Sequence, residues 1–202
     1  MKSKLPRVLF VVYLVYFSVM AVNPYSRSVW IAENIPVVLL VAFLAFTYRR
    51  FPFSPAAYVL MSVFIFLHTT GGHYTFERVP FGFVTELFGF SRNHFDRIAH
   101  FSVGFYAYPI AEFIYRKKYS ESRGLLAFTG ITAIFTVAAV YEIIEWIYAV
   151  MADPASGIAF LGSQGDIWDA QKDMLADGLG AVCASFYFLF SYKRTKKSEI
   201  PS

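Results

Sequence analysis

The chain has 202 residues, of which 57% are hydrophobic and 16% are charged, and its formal net charge is +4. Soluble domains are typically about 45–50% apolar and about one-quarter charged, so this composition argues against an ordinary soluble domain. The small positive charge is no sign of a nucleic-acid partner, because membrane topology alone produces such a bias.

Long uncharged stretches follow one another along the chain. Lys, Arg, Asp and Glu are absent from 8–26, 34–48, 51–76, 98–111, 124–141 and 178–192. A bilayer-spanning helix needs about 20 mostly apolar residues, and each stretch reaches that length alone or with one or two terminal charges. We therefore predict an all-α membrane protein, a single domain over residues 1–202 with six transmembrane helices. In chain order, the predicted spans are about 7–25, 32–48, 55–72, 96–115, 125–148 and 172–192.

The first predicted span has a second interpretation. Lys2, Lys4 and Arg7 precede an apolar run, as the charged and hydrophobic regions of a secretory signal peptide do. Because five more spans follow, we predict that this segment is retained as a membrane anchor.

The basic residues set the predicted orientation, because loops kept in the cytoplasm are enriched in Lys and Arg. With six spans, 13 of the 18 basic residues fall on the side of the N-terminus, and the others are Arg27, Arg78, Arg92, Arg97 and Lys172. Both termini are therefore predicted to be cytoplasmic. The two long loops, about 73–95 and 149–171, then lie on the outer side, where we expect short interfacial helices.

Acids and histidines concentrate at the outer ends of the predicted spans. Eleven of the 14 acids lie there: Glu33, Glu77, Glu86, Asp96, Glu142, Glu145, Asp153, Asp166, Asp169, Asp173 and Asp177. Asp96 and His100 are four residues apart, and Glu142 and Glu145 are three apart, so each pair shares one helix face. His68 lies near the outer end of the third span. These positions predict that imidazole and carboxylate groups from several spans meet in one pocket.

Residues 166–177, D-I-W-D-A-Q-K-D-M-L-A-D, place four aspartates along one stripe of the last predicted helix. Asp166 and Asp169 suit a helix N-terminus, where the macrodipole stabilises an exposed carboxylate by about 0.3–1 kcal/mol. This explanation weakens for Asp173 and fails for Asp177, which would lie roughly two to three turns inside the helix. An ionisable residue in a span needs a partner, so Asp177 is predicted to have one.

A divalent metal ion is one such partner. Oxygen and imidazole ligands without thiolates suit Zn, Mn or Mg, and helical bundles build such sites from pairs three or four residues apart. The predicted metal ligands are Asp96, His100, Glu142, Glu145, Asp173 and Asp177. We assign catalytic roles to His68 and His73, as general acid or base or as further ligands, and to Arg97, whose fork suits a phosphate or carboxylate.

Two metal-free interpretations stay open. The acids can form a salt-bridge and hydrogen-bond network around Arg97 and Lys172, or they can line a path for protons or ions. Short metalloenzyme motifs such as H-E-x-x-H are absent from the sequence, so the pattern indicates a polar functional site more firmly than it indicates a metal.

Four motifs together resemble one family: H-T-T-G-G-H-Y-T-F from residue 68, N-H-F-D-R-I-A-H-F-S-V-G-F from 93, Y-E-I-I-E-W from 141 and W-D-A-Q-K-D-M-L-A-D-G-L-G-A from 168. Over most of the chain they resemble the bacterial YjdF-type family of inner-membrane proteins, whose function is unknown. A more distant likeness is to VanZ-like membrane proteins, whose pattern matches Asp96, His100, Asp173 and Gly180 but favours Asn where this chain has Asp177. The resemblance implies a multi-pass protein of the bacterial inner membrane and supplies no activity.

Three functional hypotheses follow. The first is an enzyme-like site at the periplasmic face, acting with a divalent metal on a lipid, lipid-linked or envelope substrate. The second is a small proton- or ion-coupled transporter, which needs polar residues toward the cytoplasm, where Glu112 is the candidate. The third is a structural or partner-binding membrane protein, in which the acids serve stability alone.

Overall fold

The computed structural model describes residues 3–198, with side chains up to Ser191. Over these residues the chain forms helices and no β-strand, so the prediction of an all-α protein is confirmed. Two 3₁₀ turns lie at Phe76–Arg78 and Gly104–Tyr106. The α-helices are α1 (Leu5–Met20), α2 (Arg27–Thr47), α3 (Pro55–Tyr74), α4 (Gly82–Phe88), α5 (Phe95–Val103), α6 (Ala107–Arg116), α7 (Arg123–Met151), α8 (Pro154–Leu161) and α9 (Asp169–Ser198).

Four of these helices are long and apolar enough to cross a membrane: α2, α3, α7 and, from Asp169 to Ser191, α9. The shorter helix α1 is also apolar. Large apolar side chains stand on the outside of the bundle, and Phe46, Phe128 and Phe186 are 70%, 64% and 69% exposed. In water each such side chain forgoes about 1.5–3 kcal/mol of burial free energy, so a surface of this kind suits lipid.

The predicted fourth span, 96–115, is not one continuous α-helix. The chain instead forms α5, the 3₁₀ turn Gly104–Tyr106 and α6 in succession. Pro109 contributes to this interruption, because proline has no N–H to donate to the carbonyl four residues earlier. Gly104 begins this turn, and it packs so closely on α9 that a Cβ there would overlap the backbone at Asp177 and Ala181.

The two long loops contain short helices, α4 and α8, as the sequence predicts. In α4 the apolar side chains point outward, and Phe83, Leu87 and Phe88 are 70%, 75% and 64% exposed. A short helix with such a face suits the membrane interface.

Helix α9 packs against α5, α6 and α7. Small residues make this possible, since Ala181 and Ala184 are buried against the main core. That core also takes side chains from α3, α6 and α7: Met61, Tyr108, Leu126 and Ile134. A second cluster joins α1, α2 and α3 through Tyr13, Val37 and Ile65.

Hydrogen bonds between loops define two ends of the bundle. At one end, which we call the acidic end, Tyr25 N donates to the His73 carbonyl at 2.9 Å and joins the α1–α2 turn to the end of α3. The N-termini of α5 and α9 lie at this end too, where Asn93 N donates to Gln164 Oε1 at 2.9 Å. At the opposite, basic end, Ser54 N donates to Glu112 Oε1 at 2.8 Å.

Candidate functional site

The acidic stripe and the Asp96–His100 pair face each other because α5 and α9 approach closely. A Cβ at Gly180 would overlap the Phe101 carbonyl and come within 3.2 Å of Gly104 Cα. Only hydrogen at that position permits this separation of the two backbones. Gly180 lies about one helical turn after Asp177. The close contact at Gly180 therefore holds Asp177 against His100.

His100 lies among three carboxylates from α5 and α9. Its Nδ1 is 3.2 Å from Asp177 Oδ2, and its Nε2 is 3.6 Å from Asp96 Oδ1 and 3.7 Å from Asp173 Oδ1. One ligand atom each from Asp96, His100 and Asp173 lies within 4.8 Å of the other two. All three aspartates are buried, and the His100 side chain is 12% exposed. Three side chains that could hold a metal ion are therefore already grouped.

Helix α7 brings the two glutamates to the same region. Glu145 lines a cavity of about 290 Å³ together with Asp96, His100 and Asp177. Glu142 Oε1 and Asp177 Oδ1 are buried and have no hydrogen-bond partner among the described residues. A buried oxygen without a donor is costly. Both atoms are therefore suited to accept a proton or a cation.

Arg97 binds the outer part of the stripe. Its guanidinium forms ion pairs with the carboxylates of Asp173 and Asp169, and Nη1 lies 3.9 Å from Asp96 Oδ2. The side chain is 15% exposed. The predicted catalytic arginine is thus engaged by protein carboxylates, and Asp173 is shared between Arg97 and the His100 group.

A second set of ion pairs lies farther out. Arg92 Nη1 is 2.7 Å from Asp169 Oδ1, and Lys172 Nζ is 2.6 Å from Asp166 Oδ2. Asp166 lies in the turn before α9, because the chain reverses through Gln164 and Gly165, both at positive φ. The hydrogen bond from Lys172 lowers the pKa of the Asp166 carboxyl below its ordinary value. The outer aspartates, Asp166 and Asp169, are therefore paired with cations, the innermost one, Asp177, faces His100, and Asp173 contacts both Arg97 and His100.

A third polar group lies deeper, between α2, α3 and α7. Tyr141 Oη donates to Glu33 Oε2 at 2.9 Å, and His68 Nε2 lies 3.2 Å from the same oxygen. Glu33 is 1% exposed and His68 is 5% exposed. The sequence predicted a functional His68 but did not single out Glu33 or Tyr141. The one available signal for Glu33 was a carboxylate at the start of an apolar span.

The cavity joins the His100 group to the His68 group. Its walls include His68 and Tyr141 on one side and Asp96, His100 and Asp177 on the other. Pro36 of α2 and Val137 of α7 also line it, and both are exposed at the outside of the bundle. The cavity therefore reaches the apolar surface between α2 and α7.

Comparison with known proteins identifies the family. Residues 5–194 match the family described as "Predicted membrane protein (DUF2238)". The chain belongs to this family. It is 37% identical, over 163 residues, to a protein of Escherichia coli (strain K12) described as "Inner membrane protein YjdF"; the match covers 80% of this chain and 78% of that protein. The predicted family resemblance and the predicted membrane nature are confirmed. No solved structure matches the chain.

In this DUF2238 family member, His73 lies apart from the other predicted site residues. Its Nδ1 is 2.8 Å from the Met20 carbonyl, and its ring meets Tyr74 edge-on. Residues five apart on an α-helix point about 140° away from each other, so His68 and His73 face different neighbours. The sequence placed the two histidines in one group, and the structure separates them for this reason.

Glu112, the acid that a transport path would need at the basic end, is bound by its neighbours. Its carboxylate accepts from Ser54 N at 2.8 Å, from Ser54 Oγ at 2.7 Å and from Arg116 Nη1 at 2.7 Å. Ser54 is also the N-cap of α3. In this DUF2238 protein Glu112 therefore joins α6 to the start of α3, and its pairing with Arg116 agrees with their four-residue spacing.

Proposed function

We propose that this protein binds a divalent metal ion at Asp96, His100 and Asp173 and acts on a lipid or lipid-linked envelope substrate. The observation that carries the proposal is the grouping of three ligand atoms within 4.8 Å of one another, two of them from residues that line the cavity. Oxygen and imidazole donors without sulfur suit Zn, Mn or Mg. When bound, such an ion is a Lewis acid that polarises a carbonyl or phosphoryl oxygen.

Further donors are available around this group. Asp177 Oδ1 and Glu142 Oε1 are buried and unpaired within the described part of the chain, so each can complete a coordination shell. Asp177 Oδ2 contacts His100 Nδ1 at 3.2 Å. A carboxylate at that nitrogen fixes the tautomer that leaves Nε2 free to bind a metal. Glu145 lines the same cavity.

The proposed topology has six spans with both termini in the cytoplasm. Helix α1 is the first span, and α5, the 3₁₀ turn and α6 together form the fourth. The bias of Lys and Arg toward the basic end supports this orientation, and the E. coli relative is an inner-membrane protein by its name. The His100 group then lies near the periplasmic face.

The access route favours a membrane-embedded substrate. The cavity reaches the apolar surface at Pro36 and Val137, so a molecule dissolved in the bilayer can enter between α2 and α7. His68, held by Glu33, lies on the opposite wall and is placed to act as general acid or base. His73 is left out of the proposed machinery because it does not line the cavity, and its Nδ1 is instead 2.8 Å from the Met20 carbonyl.

Metal analysis of the purified protein tests the proposal. We expect a stoichiometric divalent ion that is lost in His100→Gln and in Asp173→Asn, two substitutions of similar size that limit the loss of packing. Asp166→Asn is the matched control, since Asp166 pairs with Lys172 outside the group, and it should keep the ion. Protein without an ion, and without a thermal shift on addition of Zn, Mn or Mg, would refute the metal.

A second experiment addresses the substrate. Metal-loaded protein reconstituted in vesicles of bacterial lipid extract should convert a lipid or lipid-linked species that mass spectrometry resolves. Asp173→Asn should leave that species unchanged. No change in any species with the metal-loaded protein would contradict the substrate class while leaving the metal site standing.

A structural role is the second candidate, and the ion pairs of Arg97 favour it. Arg97 contacts both Asp169 and Asp173 and already neutralises part of the stripe without any metal. A double-mutant cycle of Arg97→Gln and Asp173→Asn measures their coupling. Strong coupling together with metal-free protein would select this candidate over the first.

A further inference from the structure

A groove at the basic end lies outside the candidate site, between α1 and α2. Both helices pack along α3. They meet toward the acidic end, where the rings of Phe17 and Trp30 are 5.5 Å apart. Toward the basic end they diverge and leave a groove of about 600 Å³. We call this space the α1–α2 groove.

The floor of the groove is apolar and its mouth is cationic. The floor is formed by α3, with Tyr58, Met61 and Ile65, and the walls include Leu9 of α1 and Leu44 of α2. Arg7 and Arg49 line its opening at the basic end. Among the side chains that the structure describes, up to Ser191, no Asp or Glu lines it. The groove therefore combines a long apolar interior with two guanidinium groups at one end.

The two arginines are available to a ligand. Both are exposed, and among the side chains that the structure describes no carboxylate pairs with either of them. Arg50, the neighbour of Arg49, instead places its guanidinium 5.3 Å from the Phe46 ring centre and does not line the groove. The hydroxyls on the floor are already engaged, since Tyr58 Oη accepts from Phe53 N at 3.3 Å and Ser62 Oγ donates to the Tyr58 carbonyl at 2.6 Å.

We propose that the α1–α2 groove binds an anionic phospholipid, with one acyl chain along α3 and the phosphate between Arg7 and Arg49. The guanidinium fork matches phosphate oxygens. Basic pockets between transmembrane helices are recognised sites for anionic head groups. The groove also opens to the side of the bundle, where Phe10 and Val11 are 41% and 58% exposed, so a lipid can enter from the bilayer. This site is independent of the proposed metal and of the substrate.

Native mass spectrometry with phosphatidylglycerol and phosphatidylcholine tests the charge requirement. Wild-type protein should retain phosphatidylglycerol preferentially, and each of Arg7→Gln and Arg49→Gln should reduce that preference about fivefold, because a basic residue near the membrane surface contributes on the order of 1 kcal/mol. Arg50→Gln is the matched control and should keep it. Equal losses in Arg49→Gln and Arg50→Gln would show a general surface effect and overturn the site.

A substitution that leaves the charge unchanged tests the groove itself. Ala45 lines the groove and Ala42 does not, and both are exposed on α2. Ala45→Trp should displace the retained phosphatidylglycerol, whereas Ala42→Trp should not. If the arginine variants fail to fold by gel filtration, this pair decides alone. Unchanged retention in Ala45→Trp, or no preference for phosphatidylglycerol in the wild type, would refute the proposal.

Discussion

His100 Nδ1 lies 3.2 Å from Asp177 Oδ2, although the two residues belong to different helices and are 77 positions apart in the chain. Asp177 is 1% exposed, so its carboxylate has exchanged water for this imidazole and its neighbours. The contact joins α5 to α9. It is the relationship on which the proposed site depends.

Removal of Asp177 should destabilise the protein. Asp177→Ala removes the shortest contact of the His100 imidazole but leaves two carboxylates beside it, so the loss is that of one hydrogen bond to a charged group, about 1.5–3 kcal/mol. We expect that decrease in the free energy of unfolding, measured by denaturant titration in detergent. Glu86→Ala, at an exposed position of α4, should change it by less than about 0.5 kcal/mol. Similar small changes in both variants would contradict the assigned contact.

The approach of α5 to α9 should not tolerate a methyl group. At Gly180 an added Cβ meets the Phe101 carbonyl, which is backbone and has little freedom to move. Gly180→Ala should therefore lower the free energy of unfolding by about 1–3 kcal/mol or more. Gly124 in α7 has open space around it, so Gly124→Ala should be neutral or stabilising by up to about 1 kcal/mol. A stable Gly180→Ala protein would show that the helices are farther apart.

The placement of Asp173, Asp177 and His100 was accessible from the sequence. Helical spacing put Asp96 with His100 and Asp173 with Asp177, and the cost of a buried charge required a partner for Asp177. The small residues that follow Asp177, Gly178, Gly180 and Ala181, are of the kind that lets helices approach closely. Spacing within a helix cannot say which helices are neighbours, so the sequence alone left the metal and salt-bridge interpretations of the cluster open.

The Glu33 group was not accessible in the same way. Glu33, His68 and Tyr141 come from three helices, and no motif links them. Glu33 also lies at the start of an apolar span, where an interfacial acid is unremarkable. The sequence analysis missed the break at Gly104 because residues 98–111 form one run without a charged residue. Hydropathy alone does not distinguish an α-helix from a 3₁₀ turn.

Loss of the Tyr141 hydroxyl should weaken the buried Glu33 group. Tyr141→Phe removes a 2.9 Å hydrogen bond to a buried carboxylate, a class of interaction that contributes about 1.5–3 kcal/mol. Tyr16→Phe is the control, because Tyr16 bonds the neutral hydroxyl of Thr70 and should cost about 0.5–1.5 kcal/mol. Thermal or denaturant unfolding measures the loss in free energy of unfolding for both variants. A Tyr141→Phe loss no larger than that of Tyr16→Phe would contradict the assigned contact between Tyr141 and Glu33.

The Lys172–Asp166 pair should stabilise the fold in a pH-dependent way. The hydrogen bond from Lys172 holds the pKa of the Asp166 carboxyl below its ordinary value of 3.8. The contribution is therefore complete above the unfolded pKa and is lost as the pH falls through the lower, folded value. The difference in unfolding midpoint between wild type and Lys172→Gln should stay constant from about pH 8 to about pH 5 and shrink in more acidic solution. If the difference in unfolding midpoint grew as the pH fell, the Lys172–Asp166 pair could not be its cause.

X-ray absorption at the zinc edge of zinc-loaded protein is the sharpest test of a metal site at Asp96, His100 and Asp173, because it reports the atoms bound to the ion. We expect imidazole nitrogen and carboxylate oxygen ligands at about 2.0–2.2 Å with no sulfur, and loss of the imidazole signal in His100→Gln. A sulfur ligand from Cys183, an imidazole signal that persists in His100→Gln, or a shell of water alone would contradict it.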